Sequence, residues 1–244
     1  MNRLEVDGVS MFYRSLPALR DVNLAFAGQQ RVGIIGPNGS GKSSLLRLLV
    51  GVTKPSMGAV MFNGTDVRRC RGVFAYLPQR ATVDWEHPVR VRDVVAMGRY
   101  PHRGAFRRLT ATDHDAIDEA LCRVGLDDLA KTRVGELSGG QQQRMFLARA
   151  FAQQASVVVL DEPYAALDAA SITIMERELV AVAKAGALVV VVSHDLSALP
   201  DRFDTIVLLN NRVVVAGDPQ VVLDEATLAT VYGWGPSQSR WGQP

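Results

Sequence analysis

The spacing of apolar positions changes twice along this chain. Residues 4–10, 22–26 and 31–35 read as strands, divided by turn-forming residues that include Pro17 and Gly28. The short apolar run Val32-Gly33-Ile34-Ile35 then meets a glycine-rich loop, and residues 42–50 carry a helical pattern. Residues 59–62 and 72–77 continue the β-rich first third, with Asn63-Gly64 as a hairpin turn. From Val89 to about Gln154 the period becomes helical, since Val91, Val94 and Val95, and later Ile117, Leu121 and Val124, recur at helical spacing. This predicts a helical insertion over residues 89–154, with one helix at 142–154. Beyond it, residues 156–160 and 188–192 are continuous, largely β-branched runs of the kind a parallel sheet buries on both faces. A helix over 169–184 separates them, and residues 206–209 and 213–216 pair around Asn210-Asn211. The predicted domain is residues 1–232. The tail, 233–244, rich in Gly, Ser, Gln and Pro, reads as disordered.

Composition narrows the picture. The 244 residues suit one large α/β domain with room for an insertion. Lys+Arg 27 against Asp+Glu 25 gives a net charge of +2, too little field to make nucleic acid an expected partner. Cys70 and Cys122 show no metal-ligand spacing and no disulfide framework, which fits a reducing compartment. Apolar runs such as 187–192 fall far short of the roughly 20 residues a spanning helix needs. Arg3 and Glu5 stand where a secretory signal would be apolar, so the expectation is a cytosolic chain.

Two local patterns carry chemistry. Gly36-Pro37-Asn38-Gly39-Ser40-Gly41-Lys42-Ser43 matches G-x-x-x-x-G-K-[ST] between an apolar strand and a helix. In that setting backbone N–H groups and the helix terminus attract phosphate, Lys42 reaches the β- and γ-phosphates, and the Ser43 hydroxyl suits Mg²⁺. The second pattern is Val157-Val158-Val159-Leu160-Asp161-Glu162, an apolar strand ending in acids at the edge where α/β sheets bind ligands. Asp161 is the metal-side carboxylate, and Glu162, pointing elsewhere, is the candidate for polarising water. A glycine turn with a helix cap, and an acidic capping turn, are the purely structural alternatives.

Phosphate loops serve many enzymes, and the pentapeptide Leu137-Ser138-Gly139-Gly140-Gln141 is what separates them. It is the signature of ABC (ATP-binding cassette) ATPases, and the chain resembles that family over residues 1–232. Four further motifs, at Tyr13, Gln79, Ala166-Leu167-Asp168 and His194, stand in family order. Tyr13 resembles the adenine-stacking aromatic, with Phe12 as competitor. Ser44 follows Ser43 where threonine is commoner. Gln79 resembles the Q-loop glutamine, Ala166-Leu167-Asp168 the D-loop, and His194 the switch histidine. The resemblance implies an α/β P-loop NTPase fold: a RecA-like parallel-sheet core, an N-terminal antiparallel β subdomain and an inserted α-helical subdomain.

It further implies ATP and Mg²⁺ as ligands, with Gln79 joining Ser43 and Asp161 around the metal. Glu162, His194 and Gln79 form the catalytic group. The chain would act as a homodimer in which Ser138 and Gly140 of one copy cover the nucleotide of the other. Multispanning permease subunits and an extracytoplasmic binding protein complete the machine, at the cytoplasmic face of the membrane. Residues 76–88, continuing through 93–100, resemble the ATPases of zinc, manganese and iron importers, above all at Val83-Asp84-Trp85-Glu86. Gly98-Arg99-Tyr100-Pro101-His102 is also similar to siderophore and haem importer ATPases. A non-transport ABC ATPase, a regulatory module that closes without turnover, and an exporter subunit are the remaining readings. Asp84, Glu86, His87 and His102 lack the spacing of a closed metal site and are not expected to be ligands.

Overall fold

A computed structural model describes residues 2–79, 88–103, 107–165, 167–194, 196 and 199–233. The strands β1 (Arg3–Tyr13), β2 (Leu16–Ala27) and β3 (Arg31–Ile35) lead to helix α1 (Lys42–Leu49), and β4 (Met57–Phe62), β5 (Thr65–Asp66) and β6 (Phe74–Leu77) follow. Next come α2 (Val91–Ala96), α3 (Tyr100–Arg103), α4 (Ala111–Arg123) and α5 (Gly139–Ala152). The chain then runs through β7 (Val157–Asp161), α6 (Ala169–Lys184), β8 (Leu188–Val192), α7 (Leu199–Arg202), β9 (Thr205–Leu209), β10 (Val213–Gly217), α8 (Pro219–Val222) and α9 (Glu225–Tyr232).

Two sheets form. One is antiparallel, in the order β2-β1-β4-β5; the other has the order β10-β9-β3-β8-β7-β6. In the second, all neighbours run parallel except the β9–β10 hairpin. Strands β7 and β8 are buried along their whole length, and their side chains alternate between two apolar layers. Val158, Leu160, Val189 and Val191 face the helices α2, α4, α5 and α6. Val157, Val159, Leu188, Val190 and Val192 face α1 and the antiparallel sheet. Each fully buried aliphatic side chain contributes about 1.5–3 kcal/mol, so β8 leaves no position for a polar residue.

This topology decides where chemistry can occur. Strands β3, β8, β7 and β6 are consecutive and parallel, so the segments that follow their carboxyl ends emerge side by side. Those segments begin at Gly36, Ser193, Glu162 and Pro78.

The helical stretch is held by Val91, Val94, Val95, Ile117, Leu121 and Val124, all buried in one cluster. An ion pair sits inside it: Arg99 Nε donates to Asp113 Oδ1 at 2.9 Å, and Asp113 is fully buried. Hydrogen bonds from Thr110, and then from Arg99, hold that carboxyl well below the usual carboxylate range.

Element boundaries differ from the sequence reading by a few residues, and two of the differences have a clear cause. Strand β2 begins at Leu16 and includes Pro17, which is tolerated because β2 is an edge strand. Helix α5 begins at Gly139 instead of residue 142, because Ser138 and Gln141 form a reciprocal capping box that starts the helix earlier than its apolar pattern does. Among the described residues no helix is long and apolar enough to cross a membrane.

Candidate functional site

The loop between β3 and α1 has the conformation its glycines allow. Gly39 and Gly41 adopt φ of 80° and 97°, and a Cβ on Gly41 would lie 2.4 Å from the Ala18 carbonyl oxygen. Gly41 caps α1 without a side chain, so no side chain claims the N–H groups of the first turn. Lys42 is buried and folds back over the loop, donating from Nζ to the carbonyls of Gly36 at 2.8 Å and Pro37 at 2.9 Å. Burial lowers its pKa, while Glu162 and Asp161 pull it the other way. Asn38 and Gly39 are exposed at the tip, whereas Ser40 Oγ is buried with no partner among the described residues.

Across the sheet, Asp161 ends β7 and is buried, and a hydrogen bond from Ser43 reaches its carboxylate. Burial pushes the Asp161 pKa up, and the Ser43 bond partly offsets this. Glu162 follows with φ of 51°, its N–H donating to Val192 O at 3.1 Å, so the chain turns off the sheet and the second acid leaves in a new direction. Its Oε2 accepts from Gln79 Nε2 at 3.1 Å, and its Oε1 lies 3.9 Å from His194 Nδ1. Residues following β6, β7 and β8 thus meet at Glu162.

Tyr13, 45% exposed, places its hydroxyl 3.4 Å from Ser44 Oγ at the start of α1. Successive strand residues face opposite ways, so this contact puts Tyr13, not Phe12, on the phosphate-loop side of β1.

The pentapeptide lies elsewhere. Leu137 is buried and anchors it, while Ser138 is exposed and caps α5. Ser138 Oγ accepts from the Gln141 N–H at 3.3 Å, and Gln141 Oε1 accepts from the Ser138 N–H at 2.8 Å. Gly139 opens the helix. Gly140 packs closely: a Cβ there would meet Ser171 Oγ at 2.9 Å and Asp168 Oδ2 at 3.2 Å, so those side chains would have to shift. Asp168 caps α6 by accepting from the Ser171 N–H at 2.7 Å, and bonds from Ser171 lower its pKa. Among the described residues no hydrogen bond joins 137–141 to the phosphate loop of the same chain.

Asp84, Trp85, Glu86, His87 and Ala166 lie outside the described residues, as does the tail 234–244. His102 is within them, and its Nε2 sits 2.7 Å from Gln153 O at the end of α5. One residue that sequence reasoning took only for a turn has more to do. Asn211, in the β9–β10 hairpin, donates from its backbone to Ser40 O at 2.8 Å and from Nδ2 to Ala18 O at 3.0 Å and Gly39 O at 3.4 Å. It ties the outward carbonyls of the phosphate loop to β2. The only sequence signal was Asn-Asn between two apolar runs.

Comparison with known proteins agrees with this geometry. Residues 19–165 match the ABC transporter family. The chain is 40% identical over 230 residues to the manganese transport system ATP-binding protein MntB of Bacillus subtilis (strain 168), spanning 94% of this chain and 92% of that one. It is 39% identical to a probable metal transport system ATP-binding protein of Chlamydia pneumoniae, over 93% of this chain and 88% of that one. Among solved structures it superposes on a chain of an inward-facing ABC transporter provisionally assigned to the metal-chelate type, with TM-score 0.84, 27% identity, and 96% and 90% of the two chains covered. A dimeric ATP-binding cassette in a post-hydrolysis state with ADP and Pi superposes with TM-score 0.78 at 25% identity, over 88% of this chain and 98% of that one. With a family match across more than half its length and relatives near 40% identity over nearly all of it, this chain belongs to the ABC transporter family as an ATP-binding cassette ATPase.

Proposed function

We propose that this chain is the ATP-hydrolysing subunit of an importer for a transition metal ion, manganese or zinc, working as a pair of copies on the cytoplasmic face of a membrane. Residues 1–232 form the ATPase unit, and the helical stretch 89–154 is the docking surface for multispanning permease subunits, which an extracytoplasmic binding protein supplies. The observation that carries the ATPase half is the meeting of Lys42, Asp161, Glu162, Gln79 and His194 at the ends of four adjacent parallel strands. The cargo is supported by the relatives named as manganese and metal transport proteins.

Phosphoryl transfer to water needs positioning and charge neutralisation more than covalent chemistry. Asn38, Gly39, Gly41 and the uncapped start of α1 offer N–H groups to the phosphates, while Gly36, Pro37 and Ser40 shape the loop, the Ser40 N–H closing a turn on the Pro37 carbonyl. Lys42 exchanges its bonds to the Gly36 and Pro37 carbonyls for bonds to the β- and γ-phosphates. Tyr13 stacks on adenine beside Ser44. Ser43 and Asp161, with Gln79, would hold Mg²⁺. The donors fit a hard cation, because they are oxygens and the buried Asp161 carboxyl has a raised pKa that a nearby positive charge would reverse. When bound, Mg²⁺ supplies charge neutralisation on the phosphate oxygens.

Glu162 orients the attacking water and takes its proton, Gln79 fixes the Glu162 carboxylate, and His194 holds the γ-phosphate. Ser138, Gly139 and Gly140 of a second copy cover the nucleotide, while Leu137 and Gln141 shape that helix start. Asp168 supports it through Gly140. Reconstitution of the transporter with metal-loaded binding protein tests the cargo. Manganese or zinc should stimulate phosphate release; stimulation only by a metal chelate would replace the cargo, and none by either would remove the importer reading.

A further inference from the structure

Among the described residues, strand β6 is the outer strand of the six-stranded sheet, with β7 on one side only. The Val73 carbonyl points inward, accepting from the Val157 N–H at 3.0 Å. By strand alternation the carbonyls of Gly72, Phe74 and Tyr76 point outward along a free edge. All three are capped by two side chains, one from α5 and one from the residue that ends it. Gln153 Nε2 donates to Phe74 O at 2.7 Å and to Gly72 O at 3.3 Å, and Arg149 Nη2 donates to Tyr76 O at 3.0 Å. Gln153 is buried and Arg149 half-buried, and burial lowers the Arg149 pKa, so this guanidinium sits on the strand edge at a desolvation cost.

The end of α5 is itself fixed from the other side. A Cβ on Gly98 would lie 2.3 Å from Arg149 O, so the turn Met97–Arg99 rests directly on the helix backbone. Arg99 Nη1 donates to Ala152 O at 2.7 Å, and His102 Nε2 meets Gln153 O at 2.7 Å. The Gly98-Arg99-Tyr100-Pro101-His102 segment therefore serves as the clasp on the helix terminus. Tyr76 is three residues from Gln79, a reach of about 10 Å at most, and Pro78 stiffens the link. Gln79 ends on Glu162.

We infer that Arg149 and Gln153 are positioning residues for Gln79: by locking the free edge of β6 to the helix that starts at Ser138, they hold the Gln79 amide on Glu162 and make the Ser138 helix and the Gln79 strand one body. This rests on the proposed role of the Gln79–Glu162 pair. Because Ser138 faces another copy's nucleotide in that reading and Gln79 its own, the clamp joins the two ATP sites of a pair.

The test uses the full chain with Arg149→Lys, which keeps the charge without the Nη2 donor, and Gln153→Met, which keeps length without a donor. Gln79→Ala and the double variants complete a cycle. The expected result is a kcat reduced about 10-fold or more in each clamp variant, in line with the cost of a displaced reacting group, at nearly unchanged KM for ATP. In the Gln79→Ala background the same changes should add almost nothing. A fall in Tm with kcat intact, or full additivity on Gln79→Ala, would overturn the inference and reduce the clamp to a stabilising contact. If Gln79→Ala alone leaves kcat unchanged, the site reading fails first and this inference with it. Gln153→Met, which removes no charge, gives the answer should Arg149→Lys fold poorly.

Discussion

Two helix N-termini in this molecule look alike as glycine-rich anion sites, yet they are built in opposite ways. The start of α1 has no side-chain cap, a left-handed Gly41, and a buried lysine parked on the loop's own carbonyls. The start of α5 satisfies itself through the Ser138–Gln141 capping box and stands exposed. An uncapped terminus leaves unpaired donors for a ligand to fill, whereas a self-capped one is stable alone and can present itself to something outside. In the proposed pair the first is the receptor within the chain, and the second a surface for another chain's nucleotide.

The largest expected effect falls at the receptor end. Glu162→Gln should keep ATP binding and lower phosphate release by roughly 10²-fold or more, the scale of general-base loss; near-normal release would remove Glu162 from that role. Next is the contrast between glycines. Gly41→Ala meets the Ala18 carbonyl and a strained φ, so fluorescent-nucleotide titration should show binding lost, while Gly139→Ala, at a helical position without positive φ, should bind as wild type. Equal behaviour of the two would erase the distinction between the termini.

A smaller effect should follow Ser138→Ala, which removes the cap of α5 at a cost of about 1 kcal/mol. It should lower Tm by a few degrees without changing nucleotide affinity of the single chain. The weakest contrast is in pH. Asp161 has a raised pKa, so the folded protein holds its proton longer than the unfolded chain, and stability falls as pH rises from the ordinary carboxylate range through that raised value. Asp161→Asn should therefore raise the Tm of the nucleotide-free protein at neutral pH while stopping hydrolysis. Asp168, beside the α5 terminus, has a lowered pKa, and its contribution is present above the ordinary range and lost as pH falls through the lowered one. Asp168→Asn should lower Tm at neutral pH and flatten the acid limb of a Tm-against-pH curve.

How far the sequence reached depended on whether the signal was local. Strands β7 and β8 were legible because a strand buried on both faces is apolar throughout, and helix α6 has the bounds read for it, 169–184. The phosphate loop was legible because its glycines answer to backbone geometry. What stayed hidden was non-local. Nothing in Asn210-Asn211 shows that Asn211 reaches back to Gly39 and Ala18, far away in sequence. Nothing in the helical pattern of α5 shows that Arg149 and Gln153 turn toward the carbonyls of β6, because polar residues on a buried helix read only as breaks in an apolar face. His102 entered the sequence reading only through a stretch similar to siderophore and haem importer ATPases, which gives no sign that its ring meets Gln153 O at the end of α5.

The central claim, a nucleotide site divided between the uncapped terminus of one copy and the self-capped terminus of another, is tested most directly by mixing two disabled chains. Lys42→Ala removes the receptor end and keeps Ser138; Ser138→Arg blocks the presenting end and keeps Lys42. Each alone should release almost no phosphate. The mixture should recover a substantial part of wild-type activity, because a mixed pair contains one site with both halves intact. A mixture as silent as its components, or full activity in the Ser138→Arg chain alone, would contradict the account.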